Sequence, residues 1–502
     1  MRSFYIKKMK QTSTDSYSHV LKYTGIFGGV QGLNIVVSLV RNKLIAILLG
    51  PNGMGLVSLF NSTVNFISQS TNFGISFSAV KHVSELYDHG DEAGIRRFIQ
   101  VVRTWSLLTA LLGMLVCIVA GPALSSSTFA WGNHTLHFVL LAPAVALLAI
   151  TGGETAILKG TRQLRSLAVI QIYNALLSLL IGIPIYYFFG QAGIVPVIVL
   201  MALAAMLLTV RHSLRLYPLH HSGLKGVLRE GSDMVKLGVA FVLAAVMGSG
   251  AEMFIRSYLN VVSGDLDIVG LYNAGFMLTV TYAGMVFSAM EPDYFPRLSA
   301  VSNDVKATNL TINRQIEVSL LIVSPLLSGL IVFVPLLIPL LLSDEFLPIV
   351  AMVQVSVFSM YLKALSLPIG YTNLAKGNSV GYLLIETAYY VSFILLTIYG
   401  YQYWGLVGTG VALVVSYVIE LVAVATFMHF RYGYVVSAPV VRYFLIQFLL
   451  GILVYLACFI SQPLLHWGIG VFGVFLSSAY SLHVLRRKSS LWNALTRRFS
   501  KL

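Results

Sequence analysis

Apolar blocks close to 20 residues long follow one another along the chain, separated by short polar loops. A helix needs about 20 residues to cross the hydrocarbon core of a bilayer, so each block predicts one transmembrane helix. Blocks begin near Gly25, Leu56, Thr104, Leu136, Leu167, Ile194, Leu237, Val269, Val318, Phe346, Tyr382, Leu406, Tyr443 and Trp467, which gives about 14 spans. The pattern predicts an all-α polytopic membrane protein. With 57% of residues apolar and only 10% charged, no stretch remains for a soluble domain.

The blocks also repeat. Displacing the chain by 215 residues lays Arg41 on Arg256, Gly55 on Gly270, Val83-Ser84 on Leu298-Ser299 and Gln100 on Gln315. A displacement of 217 lays Thr155, Lys159 and Gly160 on Thr372, Lys376 and Gly377. We therefore expect an N-lobe of six helices (residues 1–215), a linker (216–236) with His220, His221 and Gly223, and a C-lobe of six helices (237–430). Residues 431–502 hold two further helices and a basic tail. An even number of spans per lobe makes the repeat parallel, about an axis along the membrane normal. Transporters of that design bind substrate between the lobes near the midplane and expose it alternately to each side.

Charge fixes the orientation. All but four of the 33 lysines and arginines fall in alternate loops and the two termini, and the opposite loops carry none. The positive-inside rule then places both termini in the cytoplasm. The net charge of +14 belongs to this topology and to anionic headgroups of membrane lipids, which argues against nucleic acid as a partner. The tail residues Arg486, Arg487, Lys488, Arg497, Arg498 and Lys501 read as a topology anchor. Residues 1–24 lack the apolar core and cleavage site of a signal peptide, so insertion through the first helix is expected. Cys117 and Cys458 fall inside spans and read as core thiols. Between Asp91 and Thr104, Ile95, Phe98, Ile99 and Val102 share one helical face, which predicts a short helix at the headgroup interface.

The four remaining basic residues, Arg41, Lys43, Arg256 and Lys363, lie within spans, where charges are costly and face a cavity or a partner. Arg41 precedes the Gly50-Pro51 turn by nine residues and Arg256 the Gly264-Asp265 turn by eight, roughly 12 to 14 Å below the outer surface. Arginine keeps its charge in low dielectric and its forked donors fit phosphate oxygens. Arg41 and Arg256 are therefore expected to face each other and hold an anionic, phosphorylated substrate. The alternative for Arg256 is an ion pair with Glu252, four residues earlier on the same face. Lys363, five residues from Pro368, reads better as snorkelling to the cytoplasmic surface. In the second span Asn61, Asn65, Ser68, Gln69 and Asn72 form a polar stripe that suits sugar hydroxyls, or alternatively interhelical hydrogen bonds. The matching positions at a displacement of 215 are Phe276, Val280, Ala283, Gly284 and Phe287, which makes one lobe wet and the other dry. Glu154, Glu386 and Glu420, with Glu252, are the acidic residues in or near spans that could bind a coupling proton or sodium ion. No phosphate loop, metal-ligand cluster or nucleophile elbow is visible, so neither an enzyme, nor a metal, nor another cofactor is expected.

Lys43 to Gly55 (KLIAILLGPNGMG), Phe73-Gly74 and Val80 to Ser84 resemble the first two helices of Wzx-type flippases for O-antigen and enterobacterial common antigen. Leu341 to Phe346, Leu362-Lys363, Gly370-Tyr371 and Ala375-Lys376-Gly377 resemble the same family around the tenth helix. The resemblance implies a MATE-like member of the multidrug and oligosaccharidyl-lipid exporter superfamily. It further implies a carrier of undecaprenyl-diphosphate-linked oligosaccharide across a bacterial inner membrane. Arg41 and Arg256 match the cationic cavity of such carriers, and the final two helices would form a groove for the lipid tail. Met360 departs from the pattern, since relatives carry an acidic residue three before the lysine. A monomeric transport unit, a polysaccharide polymerase and a chain-length regulator are the further expectations. The rivals are a cation antiporter of the same superfamily and a membrane polymerase or ligase. The antiporter would need an acidic cavity, and the polymerase or ligase a long external loop.

Overall fold

The computed structural model describes residues 2–129, 132–219 and 227–488. His220, His221 and Gly223 of the expected linker lie outside them, as do Arg497, Arg498 and Lys501 of the tail. The described residues form helices and no strands. Two compact units are present, Met1–Ser249 and Gly250–Leu502.

In the first unit α1 (Arg2–Thr71) breaks at Gly50, and α2 (Ile75–Asp88), α3 (Glu92–Thr128) and α4 (Thr135–Gly160) follow. Then come α5 (Leu164–Leu180), α6 (Gly182–Phe189), α7 (Ile194–Leu216) and the start of α8 (Val227–Ser263). The second unit continues through α9 (Leu266–Phe276), a π-helical turn (Met277–Ala283), α10 (Met285–Ala300) and α11 (Val305–Leu341). It ends with α12 (Val350–Ser356), α13 (Phe358–Ala375), α14 (Ser379–Tyr432), α15 (Ala438–Ala457) and α16 (Pro463–Lys488).

Local chemistry recurs in the two units. Both α3 and α11 are 37 residues long, and each begins after an aspartate that accepts from the first-turn backbone, Asp91 from Gly94 N at 2.9 Å and Asp304 from Lys306 N at 2.8 Å. Gly190 and Gly405 both adopt positive φ, at 54° and 55°, where a helix reverses.

Nine helices among the described residues are long and apolar enough to cross a membrane, or ten with the bent pair Asp344–Ser356 and Phe358–Ala375 taken as one. The protein is thus a multi-pass membrane protein. That number differs from the sequence count of about 14 partly because some continuous helices are hairpins. α14 has 54 residues and breaks at Gly405, with φ 55° and ψ −139°. The rings of Tyr389 and Tyr417 lie 5.1 Å apart, whereas 28 residues of straight helix would separate them by about 42 Å. The two arms therefore run antiparallel, and Gly400 and Gly408 bring their backbones together at the reversal.

One expectation is corrected. Residues Asp91–Thr104 do not form a separate interfacial helix, because α3 runs unbroken from Glu92 to Thr128. Ile95, Phe98, Ile99 and Val102 are buried against Ile75, Ala79 and Val83 of α2 and Ala156 and Ile157 of α4. The apolar face that suggested lipid is covered by protein.

The last two helices pack on α11. Within the pair, Gln447 donates to Ser481 Oγ at 2.8 Å and accepts from Ser477 Oγ at 2.6 Å, a buried clasp between α15 and α16. Asn313 of α11 donates to the Val435 carbonyl at 2.9 Å and accepts from Ser437 N at 2.9 Å, tying the preceding connection to the same helix.

A side chain at Gly408 would run into the Gly400 carbonyl, whereas one at Gly329 would meet nothing within 4 Å. Gly408→Val should cost about 1–3 kcal/mol and lower the melting temperature of detergent-solubilised protein, and Gly329→Ala should leave it unchanged or slightly raised. Equal melting temperatures for the two variants would refute the close hairpin.

Candidate functional site

Arg41 lies on the first arm of α1, and Asn61 and Asn65 lie on the second. In a straight helix the 20 residues from Arg41 to Asn61 would span about 30 Å. Gly50, with φ 63° and ψ −172°, and Pro51, which has no N–H to donate, reverse the chain between them. The three side chains consequently line one cavity of about 360 Å³ within the first unit. Asn42, Ser178 of α5 and Tyr186 of α6 add polar atoms, and α4 and α7 supply apolar walls that include Leu148, Val197 and Met201.

Arg41 is half-buried, and its Nε donates to Asn42 Oδ1 at 3.4 Å. That long, neutral contact leaves the guanidinium charge unbalanced by any carboxylate among the described residues. An anion with hydroxyls or phosphoryl oxygens would find a cation, amides and two hydroxyls here beside apolar walls. The rest of the sequence-predicted stripe divides. Gln69 is exposed and Ser68 half-buried, and neither lines the cavity. Asn72 is buried, and its amide donates to Ser76 Oγ at 2.8 Å. Lys43 is half-buried and also outside the cavity wall.

In the second unit Arg256 is 6% exposed and heavily engaged. Nη1 donates to the carboxylate and the main-chain carbonyl of Glu252, both at 3.1 Å, and Nη2 donates to Asn273 Oδ1 at 3.3 Å. The Phe276 ring centroid lies 5.8 Å from the guanidinium carbon. The ion pair weighed from the four-residue spacing is the arrangement present.

Lys363 does not snorkel. Its Nζ sits 6.0 Å from the Phe287 ring centroid and 5.9 Å from that of Tyr417. Its electrostatic partners are Tyr417, Glu420 and Glu386, from both arms of the α14 hairpin. Tyr382, one turn earlier on α14, is a further polar neighbour of Glu386. The carboxylates of the neighbouring helix supply counter-charges to the ammonium within the bundle. Nothing in the sequence marks the tyrosines of this cluster, because an uncharged ring in an apolar span reads as core.

Glu154 belongs to a different arrangement. Arg103 Nε donates to its Oε1 at 2.8 Å and Nη2 to its Oε2 at 3.3 Å, with side-chain exposures of only 11% and 7%. Nη2 also reaches Ser213 Oγ at 3.3 Å, so one guanidinium links α3, α4 and α7.

Set beside known proteins, residues 44–351 match a family described as polysaccharide biosynthesis protein, which covers more than half of the chain. The chain is 23% identical over 406 residues to the Lipid III flippase of Escherichia coli K12, covering 77% of this chain and 92% of that protein. In structure it is similar to an inward-facing multidrug resistance MATE family transporter of the MOP superfamily, with a TM-score of 0.67, 14% identity, and coverage of 80% of this chain and 94% of that one. It is also similar to the Lipid II flippase MurJ in an inward closed conformation, with a TM-score of 0.63, 14% identity, and coverage of 91% and 99%. The fold is MATE-like.

Breaking a buried ion pair strands the surviving charge, at about 3–5 kcal/mol. Arg103→Ala and Glu154→Ala should each lower thermal stability sharply, and Arg103→Met combined with Glu154→Leu should recover most of the loss. An unchanged melting temperature in Glu154→Ala would refute the structural role.

Proposed function

The chain belongs to the polysaccharide biosynthesis protein family, and from that premise we propose that it carries a lipid-linked oligosaccharide across a bilayer by alternating access. The observation that carries this reading is the cavity in which Arg41 meets Asn61 and Asn65. A cation suits a phosphoryl group, paired amides suit sugar hydroxyls, and apolar walls exclude water from both. The likeness to a Lipid III flippase and the MATE-like fold support the same direction.

In its finer form the substrate is an undecaprenyl-diphosphate-linked repeat unit, of the O-antigen type or similar. It moves from the cytoplasmic to the outer leaflet of an inner membrane, with both termini of the protein cytoplasmic. Arg41 holds the diphosphate. Arg256, whose donors are engaged by Glu252 and Asn273, is not assigned to it. No covalent step is involved. The substrate's polyprenyl tail stays in or beside the bilayer, with α15 and α16 as its neighbours. A polymerase and a chain-length regulator would receive the product.

For coupling, Lys363, Glu386 and Glu420 are the proposed group. One ammonium between two carboxylates leaves a formal charge of −1 when both are ionised, which a proton or sodium ion balances. This cluster favours a cation-coupled carrier over the antiporter rival with a cationic substrate, because the other cavity presents Arg41.

The test is translocation of an undecaprenyl-diphosphate oligosaccharide in sealed proteoliposomes, read by its accessibility to an enzyme on the far side. A hydrogen bond to a charged group contributes roughly 1.5–3 kcal/mol, so Arg41→Ala should slow flipping by about tenfold to a hundredfold, and Asn61→Ala with Asn65→Ala by less. Normal flipping by Arg41→Ala would remove the phosphate role, and cation exchange without flipping would favour the antiporter. An imposed proton or sodium gradient should alter the wild-type rate, and Glu420→Gln should abolish that response.

A further inference from the structure

A second cavity, of about 570 Å³, opens at the end of the first unit that carries the lysine- and arginine-bearing loops. It lies between the turn that follows α2, the first turns of α3 and the end of α7. Its polar lining is Tyr87, Glu92, Arg96, Gln100, Arg103 and Tyr217, over a floor that includes Ile99 and Leu216. The transport reading makes no use of it.

Arg96, Gln100 and Arg103 stand at positions i, i+4 and i+7 of α3. At 100° per residue they fall on one face, so their donors form a row about 10 Å long. Arg103 is fixed at the inner end, because its bonds to Glu154 and Ser213 run through Nε and Nη2 and leave Nη1 for a ligand. Among the described residues Arg96 pairs with Glu92, at 3.6 Å between side chains 60% and 83% exposed. Such a pair exchanges readily for a better anion. Glu92 is the one carboxylate among the lining residues.

The wall has one further feature. Arg162 adopts φ 55°, a left-handed conformation unfavourable to a side chain, and Gly377 with φ 69° holds the corresponding place in the turn after α13, a register of 215 in place of the 217 that the sequence suggested for this stretch. The guanidinium of Arg162 lies 6.0 Å from the ring centroid of Tyr87, so a third cation backs the cavity's aromatic edge.

We propose that this cavity binds the phosphate of an anionic phospholipid headgroup, with Arg96 and Arg103 as its ligands and Arg162 as a positioning residue behind Tyr87. Its volume falls in the range of about 300–1,000 Å³ of small-ligand sites. The aliphatic floor beside a row of guanidinium and amide donors suits a headgroup whose glycerol remains at the membrane boundary. Basic pockets at the cytoplasmic ends of spans are suited to such headgroups. A free phosphate would use the same donors and ignore the floor.

The experiment uses the full chain in phosphatidylcholine micelles, titrated with phosphatidylglycerol or with inorganic phosphate, and reads melting temperature. It needs no transport. Phosphatidylglycerol should raise the melting temperature saturably and phosphate should not. At these exposed positions Arg96→Gln should keep the starting value and Arg162→Gly should raise it slightly by relieving the left-handed backbone, and each should raise the half-saturating phosphatidylglycerol fraction about fivefold. An unaltered titration in both variants would overturn the site. An equal shift with inorganic phosphate would overturn the lipid assignment and make it a site for a soluble anion.

Discussion

Backbone hydrogen bonding in hydrocarbon is the constraint on which the other features rest. No water is available there to satisfy an open N–H or carbonyl, so a spanning chain must pair its backbone groups internally, as the helices of this chain do, and it can reverse only where a residue tolerates the turn. Gly50, Gly190, Gly264 and Gly405 all take positive φ, and the first and last lie inside otherwise continuous helices. These reversals place distant residues side by side. Without the one at Gly50, Arg41 and Asn61 would lie on opposite sides of the membrane, and no cavity would contain both. Without the one at Gly405, Glu386 and Glu420 could not both act on Lys363.

Charges inside this scaffold are stabilised in several ways. Arg103 and Glu154 form a nearly enclosed bidentate pair between neighbouring helices. Arg256 bonds a carboxylate one turn away and an asparagine across the helix interface. Lys363 combines aromatic faces with two carboxylates. Among the described residues Arg41 bonds a neighbouring amide at 3.4 Å and no carboxylate. Since an uncompensated charge in a low dielectric is expensive, the least compensated one is where an anionic ligand gains most. That difference separates Arg41 from the other three more clearly than depth in the membrane does.

The helical class was legible because apolar blocks of spanning length are a period, and a period survives without coordinates. Arg41, Asn61 and Asn65 were legible as candidates because polar groups in apolar spans are conspicuous. Asn42, Ser178 and Tyr186 were not, since nothing marks a serine or tyrosine in an apolar span as facing a cavity. The segment from Asp91 to Thr104 was misread because an apolar helical face has the same signature whether lipid or protein covers it. Arg103 counted as a loop cation, and only its approach to Glu154 from 51 residues away shows that it turns inward.

The contrast between a wet N-lobe stripe and a dry C-lobe counterpart needs a different basis from the one the spacing suggested. A displacement of 215 maps Asn61, Asn65 and Gln69 onto Phe276, Val280 and Gly284. In the structure Met277–Ala283 is π-helical, with bonds from i to i+5, so a register counted at 3.6 residues per turn slips within that stretch. Equivalent numbers therefore do not mean equivalent faces there. The difference that remains is chemical. The first unit sets amides beside a weakly compensated arginine, while the second gathers two carboxylates, a lysine and several tyrosines. Those residue types suit an anion in one unit and a cation in the other, which is the basis on which the two sites are proposed. A carrier that couples an anionic cargo to a counter-moving or co-moving cation needs both kinds of site.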